Sequence, residues 1–422
     1  MNVLLTASGD FLSTYGGGQI YVQRLVDALR RREGFCLTVL SFPAHLGSNE
    51  VEKSYADSVP VYCVSPSCGD NVLKSVLEEV HPDIVHANGQ KARMALLCQA
   101  TGIPCIVTAH HGGILCPEGA LLNDRDESCS CPVSHRNCLP CCLRNIKTGS
   151  FWSPFMRLLP AALYQEAGRA LRRLPFIPFI TPIGGAALNI LGKQKEWATI
   201  CAHASAIVAP SHAMAKAMER NGMPMERIRV IPHGVPEAPT TRKTSPARIS
   251  QFFYVGRISR IKGLHLLLSA FHQLEGDGIR LHLVGGAGNK TEKRYMKALQ
   301  KAYGADTRII WHGKIEPQKL PALIRDWHVM VMPSICLEVY GLTISEALIL
   351  GKPVLSTRCG GAEMQIAEGR NGWLVPPNSA AALYEKMKWL LREQPTLPMD
   401  IPVNLLNTHV QQIIGLYEEI AH

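Results

Sequence analysis

Acidic residues are the scarcer charge in this 422-residue chain: 34 Asp and Glu stand against 44 Lys and Arg, a formal charge of +10 with a pI near 9.0. That balance favours an anionic partner, whether a nucleotide, a phospholipid surface or a polyanion, without choosing among them. Nucleic acid drops out, because no RRM, KH or ordinary zinc-finger pattern is present and the basic residues are spread along the chain. No solenoid-type repeat is present either. The start lacks a basic stretch, and its apolar run is too short for a secretory leader, so residues 3–7 read as a first buried strand. With only 18% charged and 46% hydrophobic residues the chain is not disordered, and its length suits two α/β domains. Fourteen cysteines without a secretion signal point to a reducing compartment, where thiols bind metal or stay free.

Apolar strand candidates at 3–7, 37–42, 84–87, 105–109 and 206–209 alternate with helical or loop stretches, the rhythm of a parallel, doubly wound sheet. A proline-rich stretch over 232–246 reads as a linker. Beyond it come strands at 252–255, 281–284, 309–311, 329–332 and 354–357, with helices seeded at 264–274 and 292–302. A closing segment over 403–420 has apolar residues at helical spacing. The chain therefore divides into a first domain over 1–235, a second over 246–402 and a final helix over 403–422.

Several segments carry chemistry. Glu338 and Glu346 lie where the strand 329–332 hands over to an apolar helix, with Tyr340, Gly341 and Leu342 between them. At the carboxyl edge of a parallel sheet, helix amides can hold a phosphate, Gly341 lets backbone come close, and a carboxylate can accept hydrogen bonds from sugar hydroxyls. Thr343 and Glu346 also fit a capping box, which would make Glu346 an ordinary helix cap. Gly256, Arg257, Lys262 and Gly263 form a glycine turn after a strand with two cations five apart, a clamp suited to a diphosphate. Gly285 ends another strand. Gly17 and Gly18 precede an amphipathic helix, and His110 follows a strand, where it can hydrogen-bond a sugar or move a proton. Cys116, Cys129, Cys138 and Cys141 fall in an insertion over about 112–145, where zinc, an iron-sulfur cluster and free thiols are all open readings. The segment 151–198 sets aromatic and apolar residues beside arginines, which reads either as a surface lying on an anionic membrane or as a helical subdomain covering its own core.

Taken together these segments resemble the retaining glycosyltransferases of family 4, most specifically over 254–377. Glu338 to Glu346 resembles that family's EX7E motif, and Gly256, Arg257, Lys262 and Gly263 its phosphate-binding segment. The resemblance implies an α/β GT-B fold of two facing Rossmann-like domains, with parallel sheets and a C-terminal helix crossing back to the first. It implies that Arg257 and Lys262 hold the donor diphosphate, Glu338 the transferred sugar and Glu346 the ribose, with the amides near Tyr340, Gly341 and Leu342 close to sugar and phosphate. His110 corresponds to the histidine before an aspartate in many relatives, and His111 replaces that aspartate here. Gly17 and Gly18 would line the acceptor side, and the cysteine-rich insertion resembles one in a subset of bacterial members. The expected activity is cytoplasmic, peripheral at the inner face of the cell membrane: transfer of a hexosyl group from a UDP-sugar or GDP-sugar to a lipid-linked or growing glycan, with retention. No Asp-x-Asp motif marks the nucleotide site, so no cofactor is expected for catalysis. Rival readings are a sugar-nucleotide epimerase or phosphorylase on the same fold, and a non-catalytic membrane-associated glycan-binding scaffold.

Overall fold

A computed structural model describes residues 1–12, 17–48, 50–129, 131–144, 166, 168–170, 181–237 and 248–421. The chain divides into two compact units. The first comprises Met1–Asp124, Ser130–Gly234 and Leu405–His422, and the second comprises Arg125–Cys129 and Val235–Asn404. Most of the segment 151–198, and the linker residues 238–247, lie outside the described residues.

In the first unit, strands β1 (Asn2–Ala7), β2 (Cys36–Ser41), β3 (Val51–Ala56), β4 (Val59–Val64), β5 (Ile84–Ala87), β6 (Cys105–Thr108), β7 (Ala206–Ala209) and β8 (Ile228–Val230) form one sheet in the order β3-β4-β2-β1-β5-β6-β7-β8. Every pairing is parallel except β3 with β4. Burial on both faces explains the unbroken apolar runs of β1, β5, β6 and β7. The hairpin β3–β4 is absent from the sequence reading for a physical reason: β3 is an edge strand, largely exposed, and carries Glu52 and Lys53 in place of an apolar run.

Helix Leu406–Ala421 completes this unit. Val410, Ile413, Leu416 and Tyr417 enter the same core as Val3, Leu5, Tyr21 and Leu25. Four histidines line its polar seams. His86 bonds Tyr417 Oη through Nδ1 at 2.7 Å and Thr108 Oγ1 through Nε2 at 2.6 Å, and His409 bonds the Pro232 carbonyl at 2.8 Å and Tyr21 Oη at 3.0 Å. His110 and His233 stack with ring centroids 5.6 Å apart, both against Tyr21. Burial drives His86 down to about 3 and His409 to about 4, and leaves His110 and His233 well below the usual imidazole value. Helix Thr181–His203 buries Ile183, Ala187 and Ile190 against Leu139 and Leu143 of helix His135–Leu143. Among the described residues no helix is long and apolar enough to cross a membrane.

In the second unit, β9 (Gln251–Val255), β10 (Arg280–Val284), β11 (Ile309–Gly313), β12 (Val329–Met332), β13 (Val354–Thr357) and β14 (Gly372–Val375) form an all-parallel sheet in the order β11-β10-β9-β12-β13-β14. The order reverses between β9 and β12. Reversal points of this kind, at the carboxyl ends of the strands, are where open α/β sheets place their ligand crevice. Gly263 closes the first of these loops with φ +69°, and a Cβ on it would sit 1.8 Å from the Pro333 carbonyl oxygen. Only glycine lets the two loops approach this far.

Two predictions follow from this packing. Gly263→Ala combines a strained backbone with a clash against main chain, and should destabilise the second unit by about 3 kcal/mol or more, read as a lower denaturation midpoint; an unchanged midpoint contradicts the close approach. The four histidines are held neutral in the folded chain but titrate near 6.5 once unfolded, so the unfolded state takes up protons first as pH falls. Stability of the first unit should therefore be fully present above pH 6.5 and be lost between about pH 6.5 and 4, by roughly 1 to 2 kcal/mol per histidine at pH 5. Melting temperatures measured at pH 7 and pH 5 check this, and a first unit equally stable at both would refute it.

Candidate functional site

At the crevice of the second sheet, Lys262 and Glu338 come together. Lys262 ends the short 3-10 turn Arg260–Lys262 after β9, and Glu338 lies in the loop after β12. Their Nζ and Oε1 are 2.5 Å apart, and Ser334 Oγ donates to the same oxygen at 2.5 Å. The loop of Glu338 is pinned from both sides, its amide donating to the Cys359 carbonyl and its carbonyl accepting from the Gly361 amide, each at 2.8 Å. Loss of water, the largest single effect on Lys262, pulls its pKa down, but the Glu338 carboxylate outweighs it and holds the ammonium above the ordinary lysine value. Burial likewise pushes Glu338 up, yet Lys262, Ser334 and Arg257 together hold its carboxyl below the ordinary range. Both groups are thus ionised. Neither the Ser334 hydroxyl nor the Lys262 ammonium occupies Glu338 Oε2, which has no hydrogen-bond partner among the described residues.

Helix Leu342–Ile349 opens at the same crevice. Its cap is Gly341, in the left-handed conformation at φ 86°, and no side chain caps it. The capping-box reading of Thr343 and Glu346 is therefore corrected: Thr343 is already the second helical residue, because the left-handed glycine starts the helix earlier. Glu346 lies half-buried one turn further on. The amides of Gly341, Leu342 and Thr343 donate to no acceptor among the described residues, so they remain available to an anion. Tyr340 is buried, and its carbonyl accepts from Gln365 Nε2 at 2.5 Å, while Gln365 Oε1 accepts from Ser345 Oγ at 2.5 Å. Ser334 and Gln365 are supporting residues that sequence reasoning missed. Neither belongs to a recognisable spacing, and their role depends on contacts across the sheet.

Arg257 is half exposed and sits 3.5 Å from Glu292 Oε1, while the other carboxylate oxygen, Oε2, accepts from the Gly288 amide at 2.7 Å. Gly285 and Gly256 meet each other, since a Cβ on Gly285 would lie 1.8 Å from the Gly256 carbonyl oxygen. Their amides are spent on Gly313 and Val284 carbonyls. The two glycines thus join adjacent loops and offer no free donor.

In the first unit, His110 follows β6 and its Nε2 lies 2.7 Å from Asn88 Oδ1. Asn88 turns its own Nδ2 toward the His86 carbonyl, so Oδ1 accepts and His110 Nε2 carries the proton. His110 Nδ1 is then a bare lone pair, buried and without a partner among the described residues. Gly18 packs on this ring, its Cβ position 3.6 Å from the imidazole, whereas Gly17 faces open space. His111 accepts from the Gly113 amide at 3.0 Å and caps a 3-10 turn.

The cysteines of the insertion are carried by several parts of the chain. Cys138 and Cys141 lie on helix His135–Leu143, Cys116 is buried in the first unit, and Cys129 falls in the second. Among the described residues no group of three or more His, Cys, Asp or Glu side chains is arranged to hold a metal. Cys138 and Cys142 pack against the Leu139 and Leu143 core.

Residues 242–401 match the model of glycosyl transferases group 1, and residues 167–238 that of glycosyltransferase family 4. A D-inositol 3-phosphate glycosyltransferase of Xylanimonas cellulosilytica is 29% identical over 49% of this chain and 52% of its own length. The D-rhamnosyltransferase WbpZ of Pseudomonas aeruginosa is 31% identical over 39% of this chain and 44% of its own. The chain thus spans about half the length of the curated relatives it matches. Among solved structures, Anabaena HepE in complex with UDP and glucose superposes with a TM-score of 0.65 at 19% identity, covering 99% of this chain and all of that one. Sucrose-phosphate synthase from Thermosynechococcus elongatus gives 0.67 at 17% identity, over 99% and 98%. The chain accordingly has the α/β GT-B fold of glycosyltransferases, with residues 242–401 similar in sequence to glycosyl transferases group 1.

Proposed function

We propose that this chain is a retaining glycosyltransferase that moves a sugar from a UDP-sugar or GDP-sugar to a hydroxyl of a lipid-linked or growing glycan in cell-surface polysaccharide synthesis. The observation that carries the reading is the buried Lys262–Glu338 pair at the point where the strand order reverses. The group 1 match over 242–401, the D-rhamnosyltransferase relative and the UDP-bound structural neighbour support it.

In this mechanism the donor diphosphate lies on the free amides of Gly341, Leu342 and Thr343, with Lys262 and Arg257 carrying its charge. Glu338 keeps Lys262 charged and offers Oε2 to a hydroxyl of the transferred sugar. The anomeric carbon to diphosphate oxygen bond breaks while the acceptor oxygen bonds to the same face. The acceptor proton passes to the departing phosphate, so configuration is kept. Stabilising the departing diphosphate is the role of the two cations, and no metal or organic cofactor takes part in the step. Glu346 binds the ribose. His110 accepts a hydrogen bond from a sugar hydroxyl through Nδ1. The enzyme works in the cytoplasm against the inner face of the membrane, and the cysteine insertion, if it holds zinc or an iron-sulfur cluster, does so structurally.

Lys262→Ala should lower the transfer rate by about 100-fold and weaken UDP or GDP binding far more than uridine or guanosine binding, because the lost group faces phosphate. Titration calorimetry against the four ligands checks it, and equal loss for nucleoside and diphosphate overturns the assignment. Glu338→Gln keeps an acceptor for Ser334 but removes the charge, and should cut transfer by about 100-fold while diphosphate still binds. Turnover of free donor alone, or cleavage requiring inorganic phosphate, in place of transfer to a glycan would replace this reading with an epimerase or a phosphorylase.

A further inference from the structure

Helix Lys290–Tyr303, which returns the chain from the carboxyl end of β10 toward β11, is divided around its axis into two faces. Leu299 enters the core of the second unit, Tyr295, Met296 and Tyr303 pack against that core, and Glu292 is buried on the same side. At 3.6 residues per turn these positions share an arc of about 100°. Lys290, Lys293, Arg294, Lys297 and Lys301 share another arc of about 100°, nearly opposite the first, and all five are exposed. Glu292 is the one acid in the helix, and it faces inward to accept from the Gly288 amide. The outward face therefore carries charge of one sign.

This arrangement works against the helix itself. Lys290 with Arg294, Lys293 with Lys297, and Lys297 with Lys301 are like charges four positions apart, which repel across one turn. Lys290 and Lys293 also lie at the amino end, where the backbone dipole disfavours cations. Cations on other helices are placed differently: Arg30 and Arg31 share Asp27, Arg169 has Glu166 and Lys193 has Glu196 within a turn. None of the five on helix Lys290–Tyr303 pairs with a carboxylate among the described residues. A negative surface outside the chain relieves both costs. Four of the five are lysines, compact charges on flexible stems, which suit a diffuse negative surface better than a discrete carboxylate or phosphate that an arginine fork would grip. No aromatic ring stands among them to stack on a base, since Tyr295 and Tyr303 turn inward. No large apolar side chain of the helix is exposed, so the face can lie on a lipid surface but has nothing to insert into it.

We propose that the cationic face of helix Lys290–Tyr303 docks on an anionic phospholipid surface, by charge and without insertion. The inference deepens the reading above, on which it rests for a membrane-borne acceptor, and gives the second unit a membrane contact of its own. Because the helix joins two parallel strands, it runs back along them. A membrane under the helix then lies alongside the strands, and their carboxyl ends, where Lys262 and Glu338 meet, face along the lipid surface and not away from it.

The test is flotation of the full chain with vesicles of phosphatidylcholine, alone or with about 30% phosphatidylserine, at about 0.1 M and about 0.5 M NaCl and without donor or acceptor. Binding should require the anionic lipid and be lost at the higher salt. Lys293→Gln, Lys297→Gln and Lys301→Gln in one protein should weaken partitioning by about 100-fold, at about fivefold per cation, whereas Arg at the same three positions should retain it. These positions are exposed, so the denaturation midpoint should not fall. Lys74→Gln, Lys216→Gln and Arg220→Gln together remove the same net charge from exposed positions of the first unit, and should change partitioning by less than about twofold. No binding, binding indifferent to lipid charge, binding that persists in the helix variant, or an equal loss in the first-unit variant overturns the proposal. Binding of labelled poly(U) RNA in place of vesicles, lost in the helix variant, also overturns it and assigns the face to nucleic acid. A chain that floats as expected yet transfers no sugar overturns the glycosyltransferase reading alone, and one that transfers sugar without floating overturns only this inference.

Discussion

One buried pair of opposite charges ties the two loops that leave the second sheet where its strand order reverses. Lys262 and Glu338 come from segments 76 residues apart in sequence, and each would be expensive to bury alone. Their attraction offsets the lost hydration only because the contact is short and Ser334 adds a hydrogen bond to the same carboxylate oxygen. Such a pair contributes little net stability compared with an apolar contact of the same shape. What it does is fix two charged groups, both ionised, at the mouth of a crevice beside a helix end with free amides. Gly263 makes this possible, because any side chain there would force the Pro333 backbone away.

Much of this was legible in the sequence, and the reasons are local. Short apolar runs such as 281–284 and 329–332 announce buried parallel strands, and Glu338, Gly341 and Glu346 stand at a fixed spacing after one of them. Partnership was not legible. Spacing assigned Lys262 and Glu338 separate tasks, whereas folding gives them to each other first. Gly285 ends a strand in the sequence, and the backbone of Gly256 comes against it in the fold. Helix Lys91–Thr101 was missed because its buried residues, Met94, Ala95, Leu97 and Cys98, make no clean apolar stripe against a polar face. Cys138, Cys141 and Cys142 share one helix, and its Leu139 and Leu143 enter the core, a placement that spacing alone does not reveal.

The first unit solves a different problem, that of polar side chains inside a core. Its buried histidines are each bonded or stacked, and most have a tyrosine or threonine as partner. His110 has one ring nitrogen bonded to Asn88 and, among the described residues, no hydrogen bond on the other. Buried groups lacking partners are uncommon in folded proteins.

The core of the first unit is not contiguous in the chain. Helix Leu406–Ala421 supplies His409 and Tyr417 to it, yet follows the whole of the second sheet in sequence. During translation the amino-terminal sheet must therefore wait, with its Tyr21 and His86 seams open, until well after the second unit has been made. Protein synthesis ordinarily lets an early domain fold first. Here the later domain is the one able to finish ahead, and the earlier one depends on a helix made after it.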